Sequence, residues 1–486
     1  MNLRELYDET SPESIESYSQ GLINKSFEEI LFDYFGDTET YIAMRELFNN
    51  PRRKGSLGNL IEEYYFGYAP NSNRDADFPE AGVELKVMPY EKTKSKGYRA
   101  GERLVIGMIP NNMPVADSFY QSHVFAKLNL ILLVLYLRKK NEERITHKIN
   151  YSRLFSLSSS ILEKDYEIIK SDYEIIVDKI KTGKAHELSE ADTMYLGAST
   201  KGASASKSLQ PQFYNPDIPA KRRAFSLKQG YMSSIINNYI LEDIALHESI
   251  TEDDVTAQEF EDIVKAKILN FKGYSEGELR QIFNMKAVTN KSIFHLLTLA
   301  MLGIKSNTAE EFVKSNTIIK TIRIETNGAL RESMSFPAMN FKEFVLEEWE
   351  NSAIYEYFTE NRFLFVIYRN DGNEYRLENV KFWHMPLEEL EQIGYPEWLT
   401  VQQIIKDGVE FIPVGNRVLN NLPKLSKTRM FHLRPHANKA AYLIAGEKMG
   451  AGSLSKDADE LPNGDWMTKQ SFWLNNSYIL EQINRL

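Results

Sequence analysis

The stretch from Arg74 to Tyr90, RDADFPEAGVELKVMPY, constrains the fold most, because it sets a glutamate and a lysine into an otherwise apolar strand pattern. Side chains two apart on a strand share a face, so Glu84 and Lys86 stand side by side while Asp77 approaches from the preceding turn. Two carboxylates and an ammonium converge on one point. Hard oxygen donors at this spacing suit Mg²⁺, which usually keeps several waters, and a neighbouring lysine is placed to orient or help deprotonate one of them for attack on phosphorus. The chemistry indicated is metal-assisted phosphodiester hydrolysis. The competing reading is a solvated strand face, since a chain that is 26% charged produces Asp…Glu-x-Lys spacings by chance.

A chain of 486 residues has material for roughly two to four domains with sizeable cores. Its formal net charge of -10 argues against non-specific coating of nucleic acid, although a DNA groove is a local feature that the total conceals. Basic residues do cluster, at Arg52 to Lys54, Lys92 to Arg103 and Lys221 to Arg223. The absence of cysteine excludes disulfides, thiolate zinc sites and cysteine nucleophiles. No N-terminal signal pattern is visible, and the apolar run Leu128 to Leu137 is too short to span a bilayer. The expectation is a soluble, cytoplasmic protein with no membrane partner.

Residues 21–35 carry apolar positions at helical spacing, and a second helical pattern runs through GNLIEEYYFG, from which Glu62 or Glu63 points toward the metal pair. The strand at 82–88 is followed by a basic turn and then by RLVIGMIP, expected as its hairpin partner. Lys127 stands at the entrance of the apolar strand Leu128 to Leu137. YEII recurs at 166 and 173; seven residues make about two helical turns, so both copies bury one stripe of a core helix. In MYLGASTKGASASKSL (194–209), small and hydroxylic residues surround Lys201 and Lys207, so that backbone N–H groups can approach phosphates or base edges closely; a flexible surface loop is the alternative. RAFSLKQGYM (223–232) adds cationic and aromatic side chains, and SSIINNYIL closes the half as a helix.

Residues 242–262 are acidic and separate two halves of similar size, and the second half echoes the first. NKSIFHLLTLAMLG answers RRKGSLGNLIEEYYFG, NTIIKTIRI answers GVELKVMPY, HLRPHANKAAYL answers YLGASTKGASAS, and WMTKQSFWLNN answers AFSLKQGYMSS, aligning Lys469 with Lys228. In this alignment Leu299 replaces the helix glutamate and Ile318 replaces Glu84, while Lys320 and the acidic Glu311 keep their places. Without the strand carboxylate the second half is not expected to hold catalytic Mg²⁺. Its basic and aromatic segments persist, so DNA binding is the role expected to remain. Coincidental similarity between two α/β domains is the competing explanation.

The motifs AGVELK, SHVxxK, GKAHELSE, YL…TKGASAS and RAFSLKQGYM, followed by MSF, RFLF, HLRPH and WMTKQSFWLNN, resemble the GATC-cleaving type II restriction endonucleases related to MutH, the nicking endonuclease of mismatch repair. The resemblance to the two-domain restriction enzymes of staphylococcal type covers nearly the whole chain; that to MutH stops near residue 245. It implies an α/β fold of two tandem restriction-endonuclease-like domains, each a mixed sheet flanked by helices: a catalytic domain at 1–245, an acidic connection at 246–275, and a domain without a metal site at 276–486.

The resemblance further implies a Mg²⁺ enzyme that recognises double-stranded 5′-GATC-3′ and cleaves before the G on both strands. Asp77 and Glu84 match metal-binding positions, Lys86 and Lys127 the active-site lysines, and Glu62 or Glu63 the helix glutamate. Lys54, Gly55 and Glu102 match positions that contact the recognition sequence, where a glutamate can accept from cytosine N4. Where MutH has Arg-Pro-Lys in its DNA-reading loop, the first half has Ser199-Thr200-Lys201 and the second has Arg434-Pro435-His436. Ser226 stands in place of the tyrosine that senses adenine methylation. Lys228 and Lys469 complete the expected DNA-binding set. For His432 and His436 the choice lies between a metal pair and a DNA-contact or structural role, and chemistry favours the latter in a chain without cysteine. The second domain is expected to bind another DNA site as an effector, within one chain or in a DNA-induced dimer, and the host would carry a cognate methyltransferase. The alternatives are a repair-type GATC nicking enzyme and a non-catalytic GATC-binding regulator.

Overall fold

The computed structural model describes residues 3–50, 55–70, 75–93, 97–139, 142–157, 159, 162–201, 208–241, 249–251, 255–285, 292–306, 309–415 and 417–485. Contacts between Cα atoms divide the chain into two units, Met1–Asp262 with Ser306–Thr317, and Ile263–Lys305 with Ile318–Leu486. The architecture is mixed α/β, with small sheets flanked by helices.

In the first unit, helices α1 (Phe27–Phe35) and α2 (Ser56–Ile61) precede strands β1 (Glu84–Lys92), β2 (Tyr98–Ala100) and β3 (Leu104–Met108), and helix α3 (His123–Leu128) precedes strands β4 (Ile131–Leu137) and β5 (Ile149–Phe155). The main sheet runs β2-β1-β4-β5. β1 and β4 are parallel, with Glu84 opposite Ile131, and the other pairings are antiparallel. Ile131 to Tyr136 are all buried, as a central strand covered on both faces requires, which is why this segment reads as an unbroken apolar run. Helix α1 opens on a reciprocal capping box between Ser26 and Glu29 and places Phe27, Ile30 and Leu31 in the same core as Leu60, Ile61 and Leu132.

RLVIGMIP is not the hairpin partner of β1. That place belongs to β2, and β3 leaves for a second sheet of order β3-β7-β6, built with β6 (Leu196–Thr200) and β7 (Arg223–Leu227). The YEII repeat forms helix α4 (Glu163–Lys181), with Ile169 and Ile176 fully buried on one stripe. Its buried Asp172 accepts the N–H groups of Met194, Tyr195 and Leu196 at 2.8, 2.6 and 2.9 Å, fixing the start of β6. Helix α5 (Gln229–Ile235) follows β7. Helix α6 (Glu310–Lys314) comes from beyond the acidic stretch yet belongs to this unit. Lys314 Nζ lies 2.7 Å from Asp165 Oδ1, and the Gly230 N–H donates to Asn316 Oδ1 at 2.9 Å. The observed partition therefore differs from a simple cut near residue 245 or 276.

The second unit contains a sheet of order β8-β10-β11, from β8 (Thr317–Ile324), β10 (Arg362–Asn370) and β11 (Tyr375–Trp383), and a sheet of order β9-β15-β14. The latter joins β9 (Met334–Ser335), β14 (Phe431–Pro435) and β15 (Gln470–Leu474). Strands β12 (Phe411–Val414) and β13 (Arg417–Asn420) form a separate hairpin. One core gathers Phe363, Phe365, Trp383, Trp398 and Tyr478. No helix among the described residues is long and apolar enough to cross a membrane.

The register of β6 on β7 matches that of β14 on β15. Leu196 opposes Leu227 and Thr200 opposes Arg223, as Phe431 opposes Leu474 and Pro435 opposes Gln470. Beyond the strand end, Lys201 N–H donates to the Arg222 carbonyl at 2.8 Å and His436 N–H to the Lys469 carbonyl at 2.7 Å. This places Arg434-Pro435-His436 opposite Ser199-Thr200-Lys201, but pairs Lys469 with Arg222 and not with Lys228.

Candidate active site

The turn before β1 decides where Asp77 goes. Phe78 and Val83 exchange backbone hydrogen bonds of 2.9 and 3.2 Å, and Gly82 between them sits at φ +66°, a left-handed conformation that favours glycine. The chain doubles back, and Asp77 Oδ2 accepts the Leu85 N–H at 2.9 Å. Asp77 is thereby fixed beside the first residue of the strand.

Glu84 is 1% exposed. Lys86 Nζ lies 2.5 Å from its Oε1, and Lys127 Nζ lies 3.0 and 3.1 Å from its two oxygens. Lys127 reaches it from the last turn of α3, whose N-cap Ser122 accepts the Phe125 N–H at 3.1 Å, so the lysine belongs to a helix and not to the entrance of the strand. Helix α2 passes into a π-turn, Glu62–Phe66, closed by Gly67 at φ +81°. This turn directs Glu62 into the pocket and leaves Glu63 exposed.

Glu62, Asp77, Glu84, Lys86 and Lys127 line one pocket of about 500 Å³, with His123, Gln210 and Arg222 on its walls. Burial and the Asp77 charge push the Glu62 carboxyl up to about 7, and burial with the Glu84 charge raises that of Asp77. Three carboxyl groups meet two ammoniums in a desolvated space, and a cation bound there would favour the ionised form of Glu62. A small hard dication fits that donor set. Among the described residues no three acidic or histidine side chains close into a ready-made cage. Mg²⁺ does not require one, because one or two carboxylates with water and substrate oxygens complete its shell.

The expected DNA-contact residues are distributed unevenly. Gly55, at φ +81° on the N-cap of α2, and Glu102 line a separate pocket of about 920 Å³; Lys54 lies outside the described residues. Lys201 follows β6 and is half-buried. Ser226 and Lys228 require correction. Both are buried, Ser226 in β7 between Val105 and Gly197, and the Lys228 ammonium donates to the Thr193 carbonyl inside the protein. Neither offers a surface to DNA. Arg222 is the basic residue that sequence reasoning missed: it is one of a triplet, yet it lines the pocket while Arg223 is buried and donates to the Ala198 carbonyl at 2.6 Å. Strand alternation was the available signal.

In the second unit the Arg434 guanidinium lies 4.9 Å over the Trp473 ring, Pro435 is exposed, and Lys469 Nζ donates to the Lys456 carbonyl at 2.7 Å. His432 is buried on Asn475 Oδ1 at 2.5 Å, whereas His436 is exposed with Nδ1 3.1 Å from Ser471 Oγ, so they do not form a metal pair. Leu299 is buried and Ile318 packs on the core. Glu311 does not stand in for Asp77: its carboxylate, in the first unit, accepts from Ser249 Oγ at 2.6 Å and from the Ile250 and Thr251 N–H groups at 2.9 Å.

Residues 66–172 match the family described as DNA mismatch repair enzyme MutH. The chain is 36% identical over 465 residues to the type II restriction enzyme Sau3AI of Staphylococcus aureus, covering 89% of this chain and 93% of that protein. It is 24% identical over 195 residues to the DNA mismatch repair protein MutH of Photorhabdus laumondii, covering 40% of this chain and 81% of that protein. To the MutH of Escherichia coli it is 25% identical over 208 residues, 42% of this chain and 86% of that protein. Similarity to MutH is thus confined to part of the chain, whereas similarity to the restriction enzyme spans both units. The chain belongs to the family of the type II restriction enzyme Sau3AI, site-specific deoxyribonucleases with a MutH-type domain.

Proposed function

We propose that this deoxyribonuclease recognises duplex 5′-GATC-3′ and cleaves before the G on both strands, using Mg²⁺ held by Asp77 and Glu84. The observation that carries the catalytic reading is the convergence of Glu62, Asp77, Glu84, Lys86 and Lys127 on one pocket. Mg²⁺ bound there supplies Lewis-acid polarisation of the scissile phosphate and neutralises charge as it develops. Asp77, tied to the Leu85 N–H, keeps its place without reorganisation during the reaction. Lys86 orients the attacking water in line with the leaving oxygen; the water oxygen bonds to phosphorus as the P–O bond to the leaving sugar breaks. Lys127 holds Glu84 through both carboxylate oxygens and so fixes the donor set. Lys54, Gly55 and Glu102 contact the recognition bases, and Lys201 and Arg222 contact the backbone.

The second unit is read as a MutH-like copy that binds a further DNA site and activates the first. The matched registers of the two three-stranded sheets support this reading, together with Leu299 and Ile318 where the first unit has carboxylates. Desolvation pushes the Lys320 ammonium down on β8, a lysine without the carboxylate that its counterpart Lys86 has.

The test is to incubate the protein and its Glu84→Ala variant with GATC plasmid, in Mg²⁺ and in EDTA, and map the ends. Cuts before G on both strands, absent in the variant and in EDTA, are expected. Nicks on one strand would point to the repair-type enzyme, and binding without cleavage to a regulator. A plasmid with two GATC copies should be cut faster than one with a single copy; equal rates over a range of concentrations would remove the effector role.

A further inference from the structure

The second unit carries a feature that catalysis does not use. Between Glu410 and Glu447 the chain has six Lys or Arg residues and no Asp or Glu, in a protein whose net charge is -10. The hairpin β12–β13 opens this segment. Its root is anchored: Phe411 packs edge-on against Tyr442 with centroids 6.0 Å apart, and Val418 lies against the core. Its other face is exposed among the described residues. Ile412 opposes Leu419 and Val414 opposes Arg417, and the three apolar side chains are 58%, 42% and 52% exposed for Ile412, Leu419 and Val414. Apolar side chains grouped on the exposed face of a ribbon mark a contact surface, not a solvated one. The same basic segment continues into β14, where the Leu433 N–H donates to the Pro423 carbonyl at 3.3 Å and Arg434 stacks on Trp473.

We propose that the hairpin β12–β13 is a duplex-DNA contact arm of the second unit, an inference that rests on the reading that this unit binds DNA. A two-stranded ribbon has the width of the major groove, and apolar side chains beside a cation suit base edges and sugars flanked by phosphate. Ile412, Val414 and Leu419 supply the apolar contact, and Arg417 at the tip supplies the charge. The absence of carboxylates from this segment is what selects a polyanion over a second copy of the chain.

The chain contains no cysteine, so Ile412→Cys introduces a unique thiol for an environment-sensitive dye. The full-length chain, also carrying Glu84→Ala, is titrated with a GATC duplex. Dye emission is expected to change with duplex, and adding Arg417→Ala should weaken that titration about tenfold and reduce its salt slope by about one. If the dye stays silent while Arg434→Ala weakens duplex binding by the same chain, the arm fails and DNA binding by the second unit survives. If the dye stays silent and Arg434→Ala has no effect, both fail. A change that follows protein concentration without DNA makes the face an interface between copies and overturns the proposal.

Discussion

At the scale of single residues, the site is a problem of unequal charge. Glu84 has two lysines, whereas Glu62 and Asp77 lie in a desolvated space where neighbouring carboxylates raise their proton affinity. Sequence spacing left Glu62 and Glu63 equivalent, because the helical pattern gives no register for a turn that widens by one residue. The π-turn resolves it. Glu62→Gln is therefore expected to slow single-turnover cleavage by about 10- to 100-fold, while Glu63→Gln, on the exposed side, leaves the rate near wild type. Lys127→Met removes two of the hydrogen bonds that reach Glu84 and should cost roughly 1.5–3 kcal/mol in urea unfolding. Because it takes one ammonium away from the carboxyl groups, added Mg²⁺ should raise the Tm of this variant more than that of wild type, a difference that scanning fluorimetry reads directly.

At the scale of elements, strand identity was legible and strand partnership was not. The alternation in GVELKVMPY and the unbroken apolar run to Leu137 mark β1 and β4, but which strand pairs with which depends on where the chain goes after Gly101. Helix α4 shows the same division. Its buried stripe was visible in the YEII repeat, while Asp172 between the two copies gave no sign that it would cap the start of β6. Burial raises its carboxyl to about 6 against three backbone hydrogen bonds that lower it. The folded state therefore holds a proton that the unfolded state has released, and stability falls as pH rises from the ordinary carboxylate range through 6. Over that window the loss amounts to about 3 kcal/mol. Urea midpoints measured between pH 4 and 7 should fall less for Asp172→Asn than for wild type.

At the scale of the whole molecule, the chain is not cut cleanly in two. Ser306–Thr317 joins the first unit, with the Lys314–Asp165 pair and the bond from Gly230 to Asn316, before continuing into β8. A Cβ on Gly230 would overlap the Val313 carbonyl oxygen. Gly230→Ala is thus expected to dislodge this segment and destabilise the first unit by about 1–3 kcal/mol, the usual range for overpacking, seen as a lower urea midpoint and faster amide exchange over α6. If midpoint and exchange match wild type, the segment does not anchor there. The sequence repeat proposed counterparts between the halves; one strand pair in each unit shares a register, but Glu311, assigned to a lost metal site, instead holds Ser249 to Thr251.

The sequence alone determined the family, the mixed α/β class and the deoxyribonuclease activity, which motif order carries, and local spacing picked out the carboxylates and lysines that line one pocket. Tertiary structure alone decided which glutamate enters the pocket, which lysines are buried as against presented, and where the second half re-enters the first unit. Spacing along the chain specifies a face only within one element. Burial and charge balance at a site are sums over elements that meet only after the chain has folded.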